Sequence, residues 1–171
     1  QNALSTARKE SDTVEIQSGF FNGFTTGTPL CARIVNSDQH SKDYSILADK
    51  MRPGHADYAG HVRYQGFNDY RGGGHFSGRL TAPLVFAGAV AKQALAQHGI
   101  VVGSHILQIN DIKEERLNPM GVSDKVLAEL HAKKFAVMND AVGKKMQERI
   151  LQAKSELNSV GGVIEAIALH L

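Results

Sequence analysis

The chain is short of several things at once. It holds one cysteine, Cys31, four prolines and no tryptophan in 171 residues. A lone cysteine cannot form an internal disulfide, which fits a reducing compartment, and it excludes a multi-cysteine zinc site. No apolar run reaches the roughly 18 residues that a bilayer-spanning helix needs. The longest candidate, Leu84 to Leu95, is short and contains Lys92. The polar N-terminus has neither a methionine start nor a signal-peptide apolar segment. A strong charge of either sign is also missing: Lys+Arg 19 against Asp+Glu 17 leaves +2, no strong bias toward nucleic acid or anionic lipid. A hydrophobic fraction of 42% excludes a disordered chain. The length suits one domain with a real core better than two. The chain opens on Gln1 and closes inside the apolar run Val163 to Leu171, ends that suggest a piece of a longer protein.

What is present reads as a mixed α/β pattern without internal repeats. Residues 1–12 are polar and read as loose or extended. Thr13 to Gly19 alternates with period two and reads as a strand. Phe20-Phe21-Asn22-Gly23 reads as a turn, Thr25 to Pro29 as a bend, and Leu30 to Val35 as a second strand antiparallel to the first. Residues 36–76 show no sustained period, yet they carry Tyr44, Tyr58, Tyr64, Phe67, Tyr70 and Phe76, which argues for ordered packing. A long irregular stretch in a compact domain points to function or disorder. A helix follows from Ser77 or Thr81 to Gln97, with Pro83 in its first turn and Gly99 past its end. Its alanines and the internal Gly88 predict burial on most sides with close neighbours. Ile100 to Ile112 reads as a strand. Val122 to Ala132 and Asp140 to Leu157 read as helices capped by Ser123 and Asn139. Gly161-Gly162 turns into a last strand.

Chemistry concentrates between Arg52 and Arg79. The segment holds Arg52, Arg63, Arg71, Arg79, His55, His61 and His75 against only Asp57 and Asp69, directly ahead of a helix. In Arg71-Gly72-Gly73-Gly74-His75-Phe76-Ser77-Gly78-Arg79, three glycines let backbone N–H groups approach a ligand and cradle an anion. The helix start adds unpaired N–H groups. Arg71 and Arg79 can fork onto phosphate or carboxylate oxygens, and Ser77 offers a hydroxyl. Neither a Walker loop nor a dinucleotide fingerprint is present. Against a site, the glycines alone make a flexible turn, and the arginines can pair with Asp57 and Asp69 as ordinary ion pairs. His55, His61 and His75 offer a metal set in principle, but the crowding arginines repel a cation. His40, His98, His105, His131 and His170 read as structural or surface residues, and Cys31 as a small buried apolar one.

Together, several strings resemble chorismate synthase. They are Thr25-Thr26-Gly27-Thr28-Pro29, Asn36-Ser37-Asp38-Gln39-His40-Ser41-Lys42-Asp43-Tyr44, Arg52-Pro53-Gly54-His55-Ala56-Asp57, Asp69 through Arg79, and Ala87-Gly88-Ala89-Val90-Ala91-Lys92. The five ordered motifs are jointly specific, though each alone is weak. This sequence departs from the family's usual pattern with His40 and His75 in place of Arg, Gly78 in place of Ala and Leu80 in place of Glu.

The resemblance implies an α/β (α+β) fold, a β-α-β sandwich with a helical layer between antiparallel sheets. Residues 1–171 are then a single partial domain, with residues 36–79 as the active-site loop region. The implied reaction is the 1,4-anti elimination of phosphate from 5-enolpyruvylshikimate 3-phosphate (EPSP), giving chorismate with reduced FMN. In this picture His55 is the catalytic acid that keeps the reduced flavin suitably protonated. Arg52, Ser77 and Arg79 hold the substrate, and Arg71, Gly72, Gly73, Gly74 and His75 line the flavin side; no metal is involved. The resemblance also implies a cytoplasmic lyase of aromatic amino acid biosynthesis, linked to NADP and homotetrameric when complete, with no nucleic-acid or membrane partner. The family is about twice this length. A second catalytic histidine is expected upstream of Gln1 and the rest of the site beyond Leu171, so the isolated chain is expected to be inactive. Two rivals stand beside this reading: a non-catalytic anion- or RNA-binding module using the basic Gly-rich loop, and an assembly domain in which the glycine-containing helix packs between subunits.

Overall fold

The computed structural model describes Leu4 and residues 11–36 and 41–171. The string Ser37 to His40 and most of the polar start therefore lie outside the described residues. The chain divides into two compact units, Arg8–Ala89 and a second built on Val90–Leu171.

In the first unit, β1 (Val14–Ser18) pairs antiparallel with β4 (Cys31–Ile34). The pairing is the one expected from the sequence, shortened at both ends. Glu15 and Arg33 lie opposite each other and form an exposed ion pair at 2.6 Å. Between them, β2 (Phe20–Phe21) and β3 (Phe24–Thr25) make a small hairpin. Its two-residue tip, Asn22-Gly23, has positive φ at both positions, 48° and 86°, as a tight right-twisting hairpin turn requires. Cys31 is exposed, not buried as expected, and belongs to a sheet of two strands, β1 and β4.

The stretch from 36 to 76 has more structure than its lack of period suggested. A 3-10 segment spans Ser41–Ala48, α1 spans Asp57–Arg63, and a second 3-10 segment spans Arg71–Phe76. These elements are too short for a repeating apolar face, so periodicity could not reveal them. The aromatics here are unevenly packed: Tyr58 and Phe67 are 68% and 92% exposed, against the ordered packing expected of them.

Helix α2 (Thr81–Ala96) runs where the sequence placed it, ended by Gly99 at φ 75°. Its expected burial is overturned: none of its residues is buried, and Leu84 and Val85 are 72% and 71% exposed. A Cβ added at Gly88 would meet nothing within 4 Å among the described residues, so none of them enforces that glycine by a close approach.

The second unit is better packed. β5 (Val101–Ile109), β6 (Ile112–Lys113) and β7 (Gly162–Leu169) form one antiparallel sheet in the order β6-β5-β7. The single strand expected over 100–112 is broken by a two-residue turn, Asn110-Asp111, with Asn110 at φ 51° and Ile109 paired to Ile112. Helix α3 (Asp124–Ala132) lies against β5, where a Cβ on Gly103 would come within 2.8 Å of Leu127. Leu117, Leu127 and Leu130 form the buried cluster, joined by Val101, Ile167 and Leu169 from the sheet. Helix α4 (Asp140–Ser155) is capped as expected: Asn139 Oδ1 accepts from the N–H groups of Ala141 and Val142, and Met146 and Ala153 are buried. Ser123 occupies the N-cap of α3 without a side-chain cap bond.

Candidate functional site

The first unit carries the residues singled out between Arg52 and Arg79. The run Arg52 to Asp57 ends at α1, and its two charged ends fold back on each other. Arg52 Nε donates to Asp57 Oδ2 at 2.8 Å and Nη2 to Asp57 Oδ1 at 3.0 Å, a parallel two-bond fork. The Arg52 backbone N–H adds a third bond to Oδ2 at 3.1 Å. Asp57 is buried, and these bonds hold its carboxyl at about 2, well below the usual range. The Arg52 guanidinium, in turn, is raised by the same contact. It also stands 5.8 Å from the ring centre of Tyr44, within cation–π reach. His55 is exposed in the turn between these partners, close enough to Asp57 to lower its carboxyl further.

The Gly-rich stretch begins with a second pair of the same kind. Arg71 Nε and Nη2 donate to the two oxygens of Asp69, each at 2.8 Å, and the Arg71 backbone N–H adds a bond at 3.0 Å. These bonds bring the Asp69 carboxyl to about 2, although both side chains are half exposed. From Arg71 to Phe76, through Gly72, Gly73, Gly74 and His75, the backbone forms a 3-10 turn. Ser77 then accepts from the Arg79 N–H at 3.2 Å and caps the short turn Gly78–Leu80 that leads into α2. Arg79 is held by Asp12 at 3.2 Å and by the Val35 carbonyl at 3.2 Å. Three of the loop's four arginines are thus matched to carboxylates, two from inside it and one from outside. Arg63 lies 6.0 Å from the ring centre of Tyr64.

Between α1 and the Gly-rich turn lies a cleft of about 300 Å³, lined by Tyr64, Phe67, Asn68, Asp69, His75 and Phe76. Its back wall depends on a glycine: a Cβ at Gly60 would come within 2.5 Å of the Phe76 ring, which tilts against Tyr64 at 6.5 Å between ring centres. Aromatic walls with an amide, a carboxylate and an imidazole at the rim suit a planar, hydrogen-bonding ring system such as a flavin. The arginines and exposed histidines nearby suit its phosphate and an anionic substrate.

The structure therefore brings His75 and Asp69 to one cleft and places Arg52 and His55 in the turn that leads into α1, within the same unit. Ser77 and Arg79 stand together at the approach to α2. In the sequence Asp57 and Asp69 read only as ion-pair partners for the arginines; their two-bond geometry makes them the groups that orient Arg52 and Arg71. Tyr64, Phe67 and Asn68 were missed as cleft residues, since nothing in their spacing marks a common face. The second unit holds another cluster: His105, expected to be structural or surface, is buried between Glu114 and Glu165.

Comparison with known proteins bears on the whole chain. The profile of the chorismate synthase family matches residues 1–171. A chorismate synthase of Pyrococcus abyssi is 43% identical over 168 residues, 98% of this chain and 45% of that protein. Those of Dehalococcoides mccartyi and Methanothermobacter thermautotrophicus are 43% and 41% identical, with 99% and 98% of this chain covered. A crystal structure of chorismate synthase superposes with a TM-score of 0.67 at 27% identity, covering 92% of this chain and 45% of that one. The chain thus spans a little under half the length of these relatives. Mixed helices and strands, small antiparallel sheets and a match from the first residue to the last place this chain in the chorismate synthase family.

Proposed function

We propose that this chain supplies part of the active site of a carbon–oxygen lyase that makes chorismate from EPSP by 1,4-anti elimination of phosphate. The observation that carries the reading is the unbroken family match through the basic loop between Arg52 and Arg79. The cofactor in this reading is reduced FMN, which supplies the electron density for an elimination that is redox-neutral overall. The chain's own residues do the rest. Arg52 offers N–H groups to an anionic oxygen of the substrate, while Asp57 and Tyr44 fix its direction. Ser77 and Arg79 hold a second anionic group, at the turn that leads into α2. His55 is exposed and makes no hydrogen bond among the described residues, and in this reading it holds a proton and passes it to a ligand group beside it. Arg71, the backbone of Gly72 to Gly74, and His75 form the flavin side, with Tyr64 and Phe76 as the apolar wall that excludes water.

This assigns residues 36–79 as the active-site region of a partial domain, in an enzyme of aromatic amino acid biosynthesis. The enzyme in this reading is cytoplasmic, linked to NADP, and homotetrameric at full length. The isolated chain carries one histidine site without the rest of the machinery and is expected to be inactive. The test is a titration of FMN and EPSP, together and separately, under anaerobic conditions. Binding of both, with chorismate formed at full length only, supports the reading. Steeply salt-dependent RNA binding with no flavin affinity would replace it with a nucleic-acid module.

A further inference from the structure

Arg52 has five N–H donors in one rigid plane, and the structure accounts for how they are used. The side-on edge, Nε and Nη2, is taken by Asp57 at 2.8 and 3.0 Å. One face of the plane is set against Tyr44. The end-on edge, both hydrogens of Nη1 and the outer hydrogen of Nη2, makes no hydrogen bond among the described residues, while the side chain keeps 30% of its surface open. Two coplanar bonds fix the angle of a guanidinium, where a single bond would let it swing. Asp57 cannot itself turn away, because its side chain is 7% exposed and Oδ2 is also bound to the Arg52 backbone N–H.

We infer that Asp57 is a positioning residue: it holds the end-on edge of Arg52 outward, pre-set to fork onto one oxyanion group of the substrate. This rests on the assignment of Arg52 as a substrate contact. Asp57 touches neither substrate nor cofactor; it removes the orientational freedom that a flexible arginine would otherwise lose on binding. The low carboxyl of Asp57 agrees with this, since it keeps the fork ionised across the working pH range. The logic predicts a residue whose loss weakens binding without altering the chemical step.

The experiment uses the protein at the full length of its relatives, with Asp57→Asn, Asp57→Glu, Arg52→Lys and the Asp57→Asn/Arg52→Lys double variant. The substrate KM and kcat, FMN affinity and melting temperature are measured for each. Asp57→Asn should raise KM about tenfold or more, with kcat within about threefold of wild type and FMN affinity unchanged. Asp57→Glu should recover part of the lost affinity. The double variant should be no worse than Arg52→Lys alone, because Asp57 acts only through Arg52. If Arg52→Lys raises KM and Asp57→Asn lowers only the melting temperature, Asp57 is a structural staple and the inference falls while the substrate contact stands. If Arg52→Lys leaves KM unchanged, the contact itself is wrong and the inference falls with it. Should Asp57→Asn fail to fold, Asp57→Glu carries the same comparison: a raised KM at unchanged kcat supports positioning, and an unchanged KM overturns it.

Discussion

His105 on β5 and Glu165 on β7 are cross-strand partners, and His105 Nε2 meets Glu165 Oε2 at 3.0 Å. The other ring nitrogen meets Glu114 at 3.1 Å. Each carboxylate continues outward: Glu114 accepts the backbone N–H groups of Met138 and Asn139, where α4 begins, and Glu165 accepts the N–H of Leu117 at 2.7 Å. One imidazole thereby ties all three strand regions to the start of a helix. His105→Leu should cost about 3 kcal/mol, since it removes one hydrogen bond from each of two carboxylates and sets an apolar side chain against them. Urea denaturation reads this as a lowered midpoint at unchanged slope. An unchanged midpoint would mean that the network carries no stability.

Two glycines should respond in opposite directions. Gly19 sits at φ 80°, and a Cβ there would lie 2.6 Å from the Leu30 Cα. Gly19→Ala should therefore destabilise the chain by more than about 1 kcal/mol, from strain and contact together. Gly88 lies inside α2 with open space where a Cβ would go. Gly88→Ala should stabilise this chain by roughly 0.5–1 kcal/mol through helix propensity alone. Thermal unfolding of the two variants beside wild type checks both signs.

Acid should weaken the first unit in a defined window. Asp57 and Asp69 both lie at about 2, lowered from 3.8 first by their side-chain bonds to Arg52 and Arg71. A depressed carboxyl stabilises the folded state above its unfolded value and loses that contribution as pH falls through the folded one. Stability should thus be flat above about pH 5 and decline from about pH 4 to pH 2. Asp57→Asn should flatten that decline more than Asp69→Asn, because the exposed Asp69 pair is screened by solvent. Circular dichroism against pH for the three proteins measures it, and an equal decline in all three would contradict it.

Legibility in the sequence followed the size of the signal. Period and caps placed α2, α3, α4, β5 and β7 to within a few residues, because a long apolar pattern and residues such as Asn139 and Gly99 act locally. The 3-10 segments and α1 escaped because six to eight residues hold too few turns to show a period. The basic loop was legible as composition, and its family resemblance as ordered motifs. What composition could not show was the pairing: whether Asp57 would neutralise Arg52 or aim it depends on which edge of the guanidinium the carboxylate takes. Cys31 and α2 were misjudged for a shared reason. Apolar character says what a residue would gain by burial, and it does not say whether this stretch of chain provides the cover.

His55 is proposed as the acid of a flavin-dependent elimination of phosphate from EPSP. Its most direct test is the anaerobic rate of chorismate formation with reduced FMN, for the full-length protein and its His55→Ala variant. Chorismate formation by the wild type, and a fall of about 10²–10⁴-fold in the variant with substrate still bound, is the predicted result. No chorismate from the wild type, or undiminished turnover in the variant, would contradict it.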